Sequence, residues 1–140
     1  VIARNETNRI IWHHSLTDGG DVESFRRYHI HINGWDDVGY HFVIPKNGRF
    51  QKGRDIKLVG AHAKRKNDDS IGICLVGDFH KYEPTIEQMN ESLILYHELC
   101  RLFSKNLKIE YHRPQWMPNA CPGKKMNRVD FEEIVYRGRI

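Results

Sequence analysis

Histidine and cysteine side chains cluster at two places in this chain where they could share one chemistry. The first is the pair His13-His14, which ends the apolar run Ile10-Ile11-Trp12. The second runs from His112 to Cys121, the latter within Asn119-Ala120-Cys121-Pro122-Gly123. An imidazole nitrogen and a thiolate sulfur are both good zinc ligands. Neighbours on a strand point to opposite faces, so at most one of His13 and His14 is expected to serve such a site. Spacing alone does not say which. The His112–Cys121 separation does not suit a zinc finger, which would also need a second close pair. Three ligands from distant strand ends would instead leave one coordination position open to water, as in a catalytic zinc site. A metal held there would lower the pKa of that water and polarise a substrate carbonyl. From the residues alone, packed core side chains compete with a metal site as the account of this pattern.

The other histidines and cysteines call for less. His29 and His31 fall on or near a first helix, His97 on a long helix, and His80 before a loop. Surface or partly buried histidines without a role are expected at these four positions. The three cysteines, Cys74, Cys100 and Cys121, are odd in number and widely spaced, which is not a disulfide framework. Cys74 and Cys100 read as buried, reduced thiols.

The elements that must carry these residues can be outlined. Ile10–Trp12 is a short strand leading into the histidine pair. Asp21 is a candidate cap for a helix ending near Gly34. Residues 39–45 alternate as a strand does, Asn47-Gly48 is a hairpin turn, and 49–53 return. Ser70–Gly77 is almost continuously apolar, as suits a strand buried on both faces. Thr85 with Gln88 resembles a capping box, opening a helix to about Asn106 with Met89, Leu93, Tyr96, Leu99, Leu102 and Phe103 at helical spacing. Leu107–Tyr111 is a last strand, 112–125 is loop, and Val129–Tyr136 is a final helix. Strands alternating with helices, with one hairpin inserted, give an α/β fold. The expectation is a single domain over residues 1–140, with a central mixed β-sheet flanked by helices.

With 140 residues, 39% apolar and 29% charged, the chain has enough material for a core without disulfides. Its formal charge of +4 favours encounter with an anionic polymer but selects neither nucleic acid nor cell wall. No segment approaches the ~20 apolar residues that span a bilayer, so membrane insertion is not expected. The opening residues Val1–Glu6 are too polar for a signal peptide.

Several segments, taken in order, resemble a known family. They are Ile11-Trp12-His13-His14-Ser15, Asp37-Val38-Gly39-Tyr40-His41-Phe42-Val43-Ile44, Gly53-Arg54-Asp55, Val59-Gly60-Ala61-His62-Ala63, Ser70 to Gly77, His112-Arg113-Pro114 and Ala120-Cys121-Pro122-Gly123. Each is weak alone, but the ordered set is similar to the type 2 N-acetylmuramoyl-L-alanine amidases. That family includes phage endolysins of the T7 lysozyme type and the animal peptidoglycan recognition proteins. The resemblance runs from about Arg9 to Tyr136. It implies one catalytic zinc ion (Zn2+) held by His13, His112 and Cys121, with His14 outside the metal shell. It implies a catalytic role for Tyr40, whose neutral phenol would donate a hydrogen bond where negative charge develops. It implies that His62 walls the substrate groove. Phage-type members commonly carry a lysine two residues before the cysteine. Here Asn119 stands there as the second catalytic candidate, able to donate a hydrogen bond to the oxyanion without charge, and Lys124 or Lys125 just beyond the cysteine are the alternatives for that role.

The activity implied is hydrolysis of the amide between N-acetylmuramic acid and L-alanine in bacterial peptidoglycan. The alternatives are a non-catalytic peptidoglycan-binding module, or an added regulatory role in binding a phage RNA polymerase. Because both histidines, Cys121 and Tyr40 are present, the enzyme is favoured. The partner expected is peptidoglycan rather than nucleic acid, and the protein is expected to act as a monomer. An endolysin pattern places it in the host bacterial cytoplasm, reaching the wall after membrane disruption.

Overall fold

The computed structural model describes residues 1–138. The elements are β1 (Arg9–His14), α1 (Val22–His31), β2 (Phe42–Ile44), β3 (Gln51–Lys52), β4 (Ser70–Leu75), α2 (Ile86–Phe103), β5 (Lys108–Tyr111) and α3 (Arg128–Arg137), with a 3-10 turn at Asn67–Asp69. The strands form one mixed sheet in the order β3-β2-β4-β1-β5. β1 lies parallel to both β4 and β5, β2 is parallel to β4, and among the described strand pairs only the β2–β3 hairpin is antiparallel. β1 and β4 occupy the middle because both their faces are apolar: Ile10, Ile11, Trp12, Ile71, Ile73 and Leu75 are all buried.

Alternation along the strands sorts their side chains onto two sides. Ile10, Trp12, Ile71, Ile73 and Leu75 join Leu95, Tyr96 and Leu99 of α2 and Phe131 and Val135 of α3. Trp12 meets Phe131 edge-on, with ring centroids 4.8 Å apart. Val43, Cys74 and Val76 pack instead with Val22 of α1 and Val38. His13 pairs in register with Cys74, so its side chain emerges on this second side.

Both expected caps form. Asp21 accepts from the Ser24 amide, and Thr85 exchanges bonds with Gln88. Gln88 does more than cap: its Nε2 donates to the carbonyls of Ile44 and Val76, at 3.1 and 2.8 Å, tying α2 to β2 and to the chain just past β4.

Several expected boundaries are corrected. The strand expected over 39–45 is reduced to Phe42–Ile44. Residues 39–41 divide their backbone bonds among Ala61, Arg54, Gly53 and Gly72, and no single ladder forms. The returning strand shrinks to Gln51–Lys52. α1 ends at His31 rather than near Gly34. α2 ends at Phe103 rather than Asn106, because Ser104 turns left-handed at φ 53°. Cys74 is buried as expected, whereas Cys100 is only half-buried. Among the described residues no helix is long and apolar enough to cross a membrane.

A candidate metal centre beyond the strand ends

β1 and β5 run parallel, and their carboxyl ends bring His13 and the residue after β5, His112, to the same edge of the sheet. The His112 amide donates to the Trp12 carbonyl at 3.2 Å, which extends the pairing by one residue and fixes the second histidine beside the first. Their ring centroids are 4.6 Å apart. Clefts outside the carboxyl ends of parallel strands are the usual ligand sites of such sheets.

Cys121 arrives from the loop and is held by the backbone. Arg113 and Cys121 form an isolated antiparallel bridge, with the Arg113 amide donating to the Cys121 carbonyl at 2.8 Å. Arg128 donates to the carbonyls of Arg113 and Pro122, stitching both arms of the loop to the start of α3. Gly123 allows the loop to lie against Phe79: a Cβ there would stand 2.2 Å from the Phe79 carbonyl carbon.

One ligand atom from each of His13, His112 and Cys121 falls in a group no more than 4.8 Å across. Two nitrogens and a sulfur so grouped suit zinc, with a fourth position left to solvent. His13 and Cys121 are buried, and His112 is half-buried. Burial pushes the His13 pKa well below 6.5, aided by His62 and His112, and lowers His112 to about 4. Both rings are therefore neutral near pH 7, with a lone pair available. Burial raises the Cys121 thiol to about 11, so the thiolate needs a cation to form here. The donor set fits a zinc ion on chemistry and on spacing.

His14 points away from this group. Its Nδ1 accepts from the Phe79 amide at 3.0 Å, and its ring lies 5.2 Å from that of His80. Tyr40 stands next to the group, its ring centroid 5.2 Å from that of His13. Burial first, then Cys74 and Cys121, drive its pKa well above 10, so it holds its proton. A cavity of about 320 Å³ opens here, with His13, Tyr40, His62, His112, Asn119 and Cys121 in its walls. Asn119 is exposed at the rim. Lys124 and Lys125 are also exposed but do not line the cavity; their amides go to His80 Nδ1 and the Phe79 carbonyl. His62 is 8% exposed, its Nδ1 2.9 Å from Nε2 of His13. A larger cavity of about 870 Å³ lies between the β2–β3 hairpin and α2 and contains none of the three candidate ligands.

The structure adds residues that sequence reasoning left without a role. His29 accepts from the Gly39 amide at 2.9 Å, and its ring sits 4.7 Å from Trp35 and 5.8 Å from Tyr40. It closes one side of the cavity, and no spacing signal links this helix residue to Tyr40. Arg113 also lines the cavity. Its charge favours the deprotonated form of each neighbouring group, adding to the effect of burial at His13 and His112 and opposing it at Tyr40 and Cys121, which marks it as a cation near the group. The adjacency of Arg113 to His112 in sequence is the one signal that could have marked it.

Comparison with known proteins bears on all of this. The sequence pattern of the N-acetylmuramoyl-L-alanine amidase family matches residues 3–124. An endolysin of Enterobacteria phage K11 is 36% identical over 145 residues, spanning 97% of this chain and 94% of that protein. The solved structure of the N-acetylmuramoyl-L-alanine amidase LysC from Clostridium intestinale URNW aligns with a TM-score of 0.83 at 26% identity, covering 94% of this chain and 86% of its own. The ectodomain complex of peptidoglycan recognition proteins LCa and LCx, solved with tracheal cytotoxin bound, aligns with a TM-score of 0.81 at 30% identity, covering 91% and 82%.

Proposed function

The chain belongs to the N-acetylmuramoyl-L-alanine amidase family, and from that premise we propose that it is a zinc-dependent peptidoglycan amidase of the endolysin kind. Its bond would be the amide between the lactyl carbonyl of N-acetylmuramic acid and L-alanine. The observation that best supports this is the convergence of His13, His112 and Cys121 within 4.8 Å beside a solvent-open cavity.

His13, His112 and Cys121 would hold the ion, the two rings as neutral donors and the cysteine as thiolate. Bound there, zinc supplies a nucleophilic water at neutral pH and polarises the scissile carbonyl. Tyr40 keeps its proton and donates a hydrogen bond to the carbonyl oxygen as charge builds on it. Arg113 adds positive charge on the same side, a contribution that neutral Asn119 cannot make. Asn119 at the rim is left to donate a weaker, uncharged hydrogen bond to bound substrate. His29 and Trp35 wall the cavity, His29 with its ring beside that of Tyr40 and Trp35 against His29.

Peptidoglycan is the proposed partner, met by a monomer acting from the host cytoplasm on the wall after membrane disruption. The test is mass spectrometry of purified muropeptides incubated with zinc-loaded protein and with verified metal-free protein. Zinc-dependent release of stem peptide with a free L-alanine amino terminus is expected. Intact muropeptide in both samples, with zinc occupancy and muropeptide binding confirmed, would instead make the protein a recognition module.

A further inference from the structure

We propose that His62 is a positioning residue: through a hydrogen-bond chain ending at a backbone carbonyl, it fixes the tautomer of His13 and leaves Nδ1 of that ring as the nitrogen open to the metal. This rests on the zinc site argued above.

The chain has four members. His13 Nε2 lies 2.9 Å from His62 Nδ1. His62 Nε2 lies 3.2 Å from Ser70 Oγ. Ser70 Oγ lies 2.6 Å from the Lys66 carbonyl oxygen. The direction follows from the far end. A carbonyl oxygen only accepts, so the single hydroxyl proton of Ser70 is committed to Lys66. Ser70 must then accept from His62, which puts the His62 proton on Nε2 and leaves Nδ1 as an acceptor. His13 can only satisfy that acceptor by donating from Nε2. Its Nδ1 is then the unprotonated nitrogen. Metal-bound histidines are commonly oriented by a bond from the second ring nitrogen, usually to a carboxylate or carbonyl. Here a second histidine relays that function from Lys66.

The rest of the local structure holds this chain rigid. His13, His62 and Ser70 are all buried, His62 and His13 only touching the cavity at its wall, which limits the competition of water for their bonds. Asn67 Oδ1 accepts from the amides of both His62 and Ala63, each at 2.9 Å, so the turn that presents Lys66 and Ser70 also anchors the His62 backbone. Gly72 in β4 leaves the space that the His62 ring fills.

The experiment pairs two readouts on the same proteins. Long-range 1H–15N spectra of the metal-free wild type report the His13 tautomer, and competition with a chelator of known strength reports zinc affinity. The wild type is expected to show His13 protonated at Nε2. His62→Ala is expected to mix the tautomers and weaken zinc on the order of 10–100-fold. His62→Asn, whose amide oxygen can replace Nδ1 as acceptor, is expected to recover most of that affinity. Ser70→Ala, which removes one hydroxyl remote from the metal, is expected to shift His13 toward the Nδ1 proton and weaken zinc as well. A wild-type His13 protonated at Nδ1 would overturn the proposal, as would unchanged zinc affinity in a folded His62→Ala or Ser70→Ala protein. A wild type that bound no zinc would defeat the zinc reading, while the tautomer spectra would still decide the hydrogen-bond chain.

Discussion

Gly72 lies directly beneath the imidazole of His62: a Cβ built on that glycine would come 2.4 Å from the ring's Cγ and Cδ2. No rotamer adjustment relieves this cheaply, because the ring is held at both nitrogens. A glycine inside an otherwise apolar strand ordinarily weakens it. Here it makes room for a group that reaches the candidate metal centre. Gly72→Ala is expected to destabilise the fold by about 1–3 kcal/mol, as overpacking does. It is also expected to weaken zinc binding, measured by denaturant unfolding and chelator competition. A loss of stability with zinc affinity unchanged would separate Gly72 from the site.

Cys121→Ala should abolish stable zinc retention without unfolding the chain. The Cys121 thiol makes one weak hydrogen bond among the described residues, to the His14 carbonyl at 3.9 Å, while the loop backbone is fixed by the Arg113 amide and the Arg128 guanidinium. Zinc should raise the melting temperature of the wild type, because a ligand that binds only the native state stabilises it. That rise should vanish in the variant. Metal analysis after dialysis and thermal scans with and without zinc check both statements.

Tyr40→Phe is expected to lower kcat by roughly 10²–10³-fold, the usual cost of one hydrogen-bond donor to a developing oxyanion. Asn119→Ala should cost less, because Asn119 is exposed at the rim and carries no charge. Steady-state kinetics on a soluble muropeptide measures both. An equal or larger loss in Asn119→Ala would reverse the assignment.

Arg113→Ala should reduce kcat by about tenfold, equivalent to about 1.4 kcal/mol in the barrier. Arg113→Lys should keep most of the activity if charge is what matters. The backbone bridge to Cys121 does not depend on the side chain, so zinc retention should survive in both variants. Equal activity in all three proteins would remove Arg113 from the chemistry.

The metal-free protein should lose stability as pH falls from about 6.5 to about 4, in part through His41. Its Nδ1 accepts from the Gly72 amide at 3.0 Å and its Nε2 donates to the Leu58 carbonyl at 2.8 Å, so a second ring proton would face an N–H. Burial lowers its folded pKa from 6.5 to about 4. Between those values the unfolded chain binds the extra proton and the native state does not, so stability rises with pH across the window and is complete above it. The full effect for this one group is on the order of 3 kcal/mol. Urea midpoints against pH should show a shallower slope in His41→Asn than in the wild type.

Much of this molecule is written locally in the sequence. The largely apolar runs at 10–12 and 70–75 specify central strands, because a strand with apolar side chains on both faces is accommodated where both faces are covered. Asp21 with Ser24, and Thr85 with Gln88, mark helix starts within four residues of chain. The ordered motifs around His13, Tyr40, His62, His112 and Cys121 pointed to one family, and the family match over residues 3–124 bears that out. Other features had no local signal. Residues 39–41 lose regular strand pairing because their bonds are divided among several partner segments. His29 reaches Tyr40 only because α1 docks on that side of the sheet. The direction of the chain from Lys66 to His13 depends on three side-chain distances across separations of 4, 8 and 49 residues. Periodicity fixes which face a side chain takes. Which donor meets which acceptor across that distance is decided only when the sheet has closed around them.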